Sequence, residues 1–360
     1  MSILADSLRR DIAVGGPITV ARFIAEALGH RAHGYYAGGG RDPLGVAGDF
    51  ITAPEISQMF GELIGLWFVD TWQAMGAPEP FRLVELGPGR GTLMVDALRA
   101  AAKVPEFGGA ATLHLIERSG ALRERQWQTL SCQAPHWHND FSEVPEGPAI
   151  VIANEFFDAL PVHQFAATPC GWRERLVGLA EDSEGFALRL APGPTPALAL
   201  LLALEADETG VAEVCPAGLT LAGEIATRVA VEGGAALVID YGRNGASGDS
   251  LQAVRGHCRH DPLSDPGEVD LTALVDFAAL TRSAAEAGAA VHGPVPQGAF
   301  LRALGIEMRA AALSRVADES QIVDITSALS RLTSPEGMGE LFQVLAIADP
   351  RLPVPAGLAA

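Results

Sequence analysis

The residues with the clearest capacity for chemistry are Gly87-Pro88-Gly89-Arg90-Gly91, set between two patterned runs. Before them, Phe81, Leu83, Val84 and Leu86 form a short β-prone run. After them, Leu93, Met94, Val95, Ala97 and Leu98 follow a helical spacing. The pattern predicts a strand, a tight turn and the N-terminus of a helix. Glycine permits positive φ and lets a ligand lie against bare backbone. A helix N-terminus adds unpaired N–H donors and partial positive charge. Such a turn is built to hold a polar or anionic cofactor.

The spacing decides between cofactors. Dinucleotide loops read G-x-G-x-x-G, but here Thr92 stands where the third glycine would fall, and the order is G-x-G-x-G. Glu85 lies two residues before the first glycine. The set resembles motif I of class I S-adenosylmethionine methyltransferases. That resemblance implies that Gly87, Gly89 and Gly91 pack on the methionyl part of the cofactor. It also implies that Glu85 helps hold the cofactor's amino group, directly or through water. The next β-prone run, Ala111 to Glu117, also ends in a carboxylate. At the carboxyl end of a second strand an acid binds ribose hydroxyls, so Glu117 is the ribose candidate; the other reading is a surface acid favoured by the next helix dipole. Asp140 follows a short third strand and is a candidate for the adenine amino group, or an ordinary loop aspartate.

The fourth strand runs into Asn154-Glu155-Phe156-Phe157-Asp158. Two carboxylates and two aromatics at a sheet edge suit a cationic acceptor, because aromatic faces contact cations and carboxylates form bidentate bonds with guanidinium groups. Glu155 and Asp158 are thus catalytic candidates, with Asn154 assigned to the cofactor. The bland reading makes both phenylalanines core and Asp158 a turn cap. Asp240, ending the fifth strand, either contacts substrate or hydrogen-bonds the neighbouring loop. In Gly48 to Ser57, Thr52 or Ser57 serves as a helix N-cap, or the stretch forms a lid with Thr52 and Glu55 facing the cofactor.

These residues need a scaffold. Strands are expected at 81–86, 111–117, near 136–139, 149–153 and 235–240, with helices at 92–102, 120–130 and 219–232. Alternation of this kind predicts a mostly parallel α/β sheet, doubly wound, with helices on both faces. A helical N-terminal region is expected at 1–78, with one helix from Thr19 to Gly29, a glycine-rich loop at 33–48 and a longer helix from Ser57. A β-rich insertion of hairpins is expected at 162–215. Then come a polar loop, a helix at 272–287, a short strand at 289–292, a helical segment at 297–330 and a closing strand at 342–348. The methyltransferase unit would span 79–348, with a tail at 349–360.

Composition narrows the partners. Lys+Arg 25 against Asp+Glu 44 gives a net charge of −19, which disfavours nucleic acid and attracts cationic protein segments. The four cysteines form no C-x-x-C pair, so no disulfide framework is expected. His257-Cys258-Arg259-His260 lacks the distant ligands that a zinc site needs, and no metal is expected. The longest apolar run, near 197–204, is too short to span a membrane. The start, MSILADSLRRDI, has no apolar signal region. A bacterial, cytoplasmic protein is expected.

Together GDFITAPEISQMFGELIG, LVELGPGRGTLMVD, NEFFDALPVHQF, GGAALVIDYG and RGHCRHDPL…PGEVDLTALVDF resemble the MidA-like family of S-adenosylmethionine-dependent methyltransferases. That family includes the mitochondrial arginine methyltransferase that acts as complex I assembly factor 7. The resemblance covers residues 17–348. It implies a class I (Rossmann-like) methyltransferase fold, S-adenosylmethionine as cofactor, and methylation of an arginine in a respiratory complex I-type protein subunit. Ala53 departs from the family's ITSPEIS motif. The implied chemistry is in-line displacement onto a guanidino nitrogen, which is too basic to lose its proton beforehand. Two other functions stay open: methylation of a small molecule, and a non-catalytic, cofactor-binding assembly factor. The glycine spacing disfavours a nicotinamide oxidoreductase.

Overall fold

A computed structural model describes residues 2–37, 49, 51–181, 185–203 and 210–359. Residues 38–48 of the expected glycine-rich loop, and Phe50 of the expected lid, lie outside them.

The central sheet has eight strands, seven of them in one continuous order: β1 (Phe81–Leu86), β2 (Ala111–Ile116), β3 (His136–His138), β4 (Ala149–Asn154), β5 (Gly234–Arg243), β6 (Ala290–Pro296) and β7 (Phe342–Ala348); the eighth, Val275–Asp276, pairs only with the end of β5. The spatial order of the seven is β3-β2-β1-β4-β5-β7-β6. β7 runs antiparallel to both neighbours and the other adjacent pairs are parallel. Parallel strands are buried on both faces, and β4 and the first half of β5 read accordingly as near-continuous Val/Ile/Leu/Ala runs.

One face of the sheet is covered by the helix Gln58–Ala74 and by Thr92–Ala101, through Phe60, Ile64, Trp67 and Phe68. Ser57 caps the first of these by accepting the Met59 N–H at 3.2 Å. Gly65 lets the two helices meet, since a Cβ there would lie 2.2 Å from the carbonyl oxygen of Ala97. The other face is covered by Pro216–Glu232 and Phe277–Glu286, through Ile225, Val229 and Phe277. A separate cluster joins Leu4, Leu8, Phe23 and Ile24 of the first two helices to Val177 and Leu271. Residues of the 1–78 stretch therefore contribute to two different cores.

The strands at 163–168, 171–179, 186–190 and 211–214 form an antiparallel sheet that also takes Ile18–Thr19 as a strand. Three expectations are corrected. The polar loop after β5 contains a three-stranded sheet of Gln252–Arg255, Cys258–His260 and Asp270–Thr272. Its strands are too short and too charged to show a two-residue period. The helix expected from 272 begins at Phe277, capped by Asp276, because Val275–Asp276 first pair with the end of β5. The segment from 297 breaks into Gln297–Ala303, Ile306–Ser314 and Glu319–Thr333, the middle helix starting after left-handed Gly305.

Candidate active site

The sheet register brings the candidates to one edge. Leu86 pairs with Ile116 on one side and Ala153 on the other, and Asn154 pairs with Ile239. Gly87, Glu117 and Glu155 therefore leave the sheet at nearly the same level; Asp240, next to Ile239, lies at that level too, but it does not end its strand as expected, because β5 stays paired as far as Arg243. Backbone bonds hold that edge: Gly87 N–H donates to Ile116 at 3.0 Å, and Glu155 N–H to Ile239 at 2.9 Å.

The glycine turn has the backbone that its residues permit. Gly87, Gly89 and Gly91 have φ of 61°, 54° and 84°. A Cβ on Gly87 would come within 2.7 Å of Cδ2 of Phe156, so the turn packs directly on the β4 loop. From below, Thr92 donates to Glu55 at 2.6 Å, and the Arg90 guanidinium bonds the same carboxylate at 3.2 Å. Glu55 thus braces the turn from the helix Ala53–Ile56, and Thr52 precedes that helix without making a side-chain cap.

Two buried polar atoms near the turn have no hydrogen-bond partner. Glu85 is buried, its Oε2 has no hydrogen bond, and burial lifts its carboxyl to about 8. The Oδ1 of Asn154 is also buried without a partner. Orphaned buried polar atoms are uncommon in native proteins, and these two belong to the adjacent strands β1 and β4, Glu85 two residues before the glycine turn and Asn154 at the end of its strand. Glu117 is half-buried, and burial raises its carboxyl. It accepts the Ser119 N–H at 2.7 Å and the Gln126 amide at 3.2 Å. Gln126 also donates to the carbonyl of Gly89 at 2.8 Å, coupling the expected ribose acid to the glycine turn. The sequence reading did not single out Gln126, whose position inside a polar helix looks ordinary. Asp140 lies at the surface, paired with Arg118. The bare glycine turn, the unpartnered Glu85 and the poised Glu117 fit S-adenosylmethionine.

On the β4 loop, Glu155 takes a left-handed backbone, φ 51°. Non-glycine residues are strained there, and such strain clusters at functional sites. Its Oε1 accepts the Ala53 N–H at 2.8 Å and the Asn154 amide at 3.1 Å. Burial, with some repulsion from Asp158, raises its carboxyl to about 7. Asp158 is half-buried and its carboxyl is likewise raised by burial.

Asp240 sits differently. It is fully buried, and its Oδ2 accepts the N–H groups of Phe156, Phe157 and Asp158 at 3.1, 2.8 and 3.4 Å. Its Oδ1 accepts the Tyr241 N–H at 2.8 Å. Of the two roles left open for Asp240, the contacts seen are those with the neighbouring loop. Two further groups, unmarked by any sequence spacing, join this acidic edge: the Tyr36 hydroxyl donates to Asp270 at 3.1 Å, and the Tyr35 hydroxyl to Asp49 at 3.0 Å. A groove of about 670 Å³ runs beside the helix Glu319–Thr333 and includes Arg331, whose charge reaches Glu155. Among the described residues, no group of three side chains could hold a metal ion and no helix is long and apolar enough to cross a membrane.

Residues 63–295 match the model of the S-adenosyl-L-methionine-dependent methyltransferase family. The chain is 41% identical to the mitochondrial protein arginine methyltransferase NDUFAF7 of Mus musculus, over 92% of this chain and 81% of the relative. The Homo sapiens protein of that name is also 41% identical, over 92% and 80%. A Burkholderia thailandensis protein crystallised with S-adenosyl-homocysteine superposes with a TM-score of 0.84 at 31% identity, covering 99% of this chain and 94% of that one.

Proposed function

This chain belongs to the S-adenosyl-L-methionine-dependent methyltransferase family, and we propose that its acceptor is an arginine side chain of a protein. One observation carries the choice of acceptor: the carboxylates of Glu155 and Asp158 share one turn, beside the glycine loop, and neither is fully sealed from solvent. Carboxylates so placed bind and orient a guanidinium. The relatives named as arginine methyltransferases support the same reading.

S-adenosylmethionine, when bound, supplies an activated methyl group. Glu85, Gly87, Gly89, Gly91, Glu117 and Asn154 are the residues that would hold it, with Thr52 at the entrance and Asp140 at the outer end. Glu155 and Asp158 localise the guanidinium charge away from the attacking nitrogen. An ionised carboxylate then takes the proton released as the new N–C bond forms. Asp240 keeps the loop in shape by accepting its amides, and so acts as a positioning residue.

A respiratory complex I-type subunit is the acceptor class we put first. We place the protein in the cytoplasm, a location with which four unpaired cysteines agree. The test is to add the purified enzyme and radiolabelled S-adenosylmethionine to an extract from cells lacking this protein. Label recovered as methylarginine after hydrolysis supports the proposal. Label recovered in small molecules, or no transfer, rejects it.

A further inference from the structure

We infer that Gln126 is a positioning residue for the cofactor: its side-chain amide ties the Glu117 carboxylate to the glycine turn and aims it at the ribose hydroxyls, with Trp137 keeping that amide the right way round. The inference rests on the placement of S-adenosylmethionine above.

Gln126 lies in the helix Gly120–Leu130 and is fully buried. A buried amide must find partners for two N–H donors and one carbonyl oxygen, and this one finds them at three separate places. Its Nε2 donates to the carbonyl of Gly89 at 2.8 Å and to Oε2 of Glu117 at 3.2 Å. Its Oε1 accepts the Trp137 indole N–H at 2.8 Å. Gly89 belongs to the turn after β1, Glu117 directly follows β2, and Trp137 lies in β3, opposite Leu115. One side chain therefore joins three neighbouring strands at the edge that carries the cofactor residues. The helix itself seats against the turn, since a Cβ on Gly91 would lie 2.9 Å from Cδ1 of Leu130.

The same bonds fix which way the amide faces. An indole nitrogen donates and never accepts, so Trp137 selects the oxygen of the amide. Both N–H groups are then left for the two acceptors. Turned over, the amide would set its nitrogen against the indole N–H, and its oxygen against a carbonyl and a carboxylate.

The consequence falls on Glu117. Burial disfavours its ionised form, while the Ser119 N–H, the Gln126 amide, the charge of Arg123 and the Arg118 N–H favour it. The Ser119 N–H holds Oε1 at 2.7 Å and Gln126 holds Oε2, so each oxygen is steered by one protein donor and keeps a lone pair for a hydroxyl. An ionised carboxylate makes the stronger bonds to a ribose. Arg123 cannot substitute for Gln126 in aiming it, because its Nε goes to the Glu117 main-chain carbonyl at 2.7 Å.

The test measures binding of S-adenosylhomocysteine and of its 2′,3′-dideoxy analogue to the full-length enzyme by calorimetry. The wild type should prefer the ribose form by about tenfold or more, the scale of one hydrogen bond to a charged group. Gln126→Met keeps the bulk of the side chain but donates nothing. It should cut the preference to about threefold or less, by weakening S-adenosylhomocysteine while leaving the dideoxy analogue nearly unchanged. Trp137→Phe keeps an aromatic ring and removes the indole donor, which frees the amide to turn over. Its preference should fall between the two, and it carries the same comparison should the first variant not fold. A full preference retained by either variant overturns the inference while leaving the cofactor placement intact. So does equal weakening of both ligands, which is what a merely structural role would give. A wild type that does not distinguish the ligands overturns the ribose role of Glu117, and the inference with it.

Discussion

The Glu155 carboxylate accepts the backbone N–H of Ala53 at 2.8 Å across 102 positions. This bond ties the loop leaving β4 to the short helix that also braces the glycine turn through Glu55. One side chain thus registers the acceptor side of the crevice against the cofactor side.

Glu155→Gln separates charge from geometry. Glutamine retains a carbonyl oxygen for the Ala53 N–H but cannot localise a guanidinium charge or take its proton. Turnover is expected to fall about 100-fold, the usual scale for losing one transition-state electrostatic partner. Affinity for S-adenosylhomocysteine should stay within about twofold, because the residue lies on the acceptor side. Radiolabel transfer and calorimetry check the two halves, and unchanged turnover would remove Glu155 from the chemistry.

The glycine turn makes the opposite prediction. Gly89 has φ 54°, where a β-branched side chain is strongly disfavoured. Gly89→Val should weaken S-adenosylhomocysteine binding by about 100-fold or more while leaving the sheet folded. Gly87→Ala should act similarly by displacing Phe156, whose ring lies 2.7 Å from the added carbon. Normal calorimetric binding by both variants would place the cofactor elsewhere.

The parts of this site legible in the sequence were those written within one strand–turn–helix unit. Leu83 to Leu98 carries its own periodicity, so β1, its turn and the following helix could be read directly. The positions of Glu117 and Glu155 at strand ends followed from the same logic. Asp270 did not follow, because its strand has three residues and its partner Tyr36 lies near the other end of the chain. No local period records such a contact. Asp240 shows a different limit: its type and place were clear, but whether its oxygens face a ligand or backbone amides depends on how the loop after β4 folds back.

That anchoring has a measurable cost of removal. Asp240→Ala would leave the buried N–H groups of Phe156 and Phe157 without their acceptor. Each orphaned donor costs about 1–3 kcal/mol, partly offset by no longer burying a carboxyl. A net loss of roughly 2–4 kcal/mol is expected in urea denaturation, and Asp240→Asn, which keeps one acceptor oxygen, should lose less. A variant as stable as the wild type would show that the loop holds its shape without this anchor.

The acidity of Glu155 gives the site a pH dependence with a definite sign. Burial raises its carboxyl from 4.5 to about 7, and the positive charge of Arg331 works against that rise. Only the ionised form attracts a guanidinium, so kcat/KM for the acceptor should climb as pH rises through about 7. Arg331→Gln removes the opposing cation, and the rising limb should move to higher pH. Folding stability runs the other way. Between 4.5 and about 7 the folded protein holds a proton at Glu155 that the unfolded chain has released. The stability this group contributes is therefore complete below the unfolded value and is lost as pH rises through the folded one. Glu155→Gln has no such proton to lose, so its melting temperature relative to wild type should increase from pH 5 to pH 8. An Arg331→Gln profile that stays in place, or moves to lower pH, would mean that Arg331 does not act on Glu155. A wild-type profile flat across neutral pH would mean that ionisation of this carboxyl does not control acceptor binding.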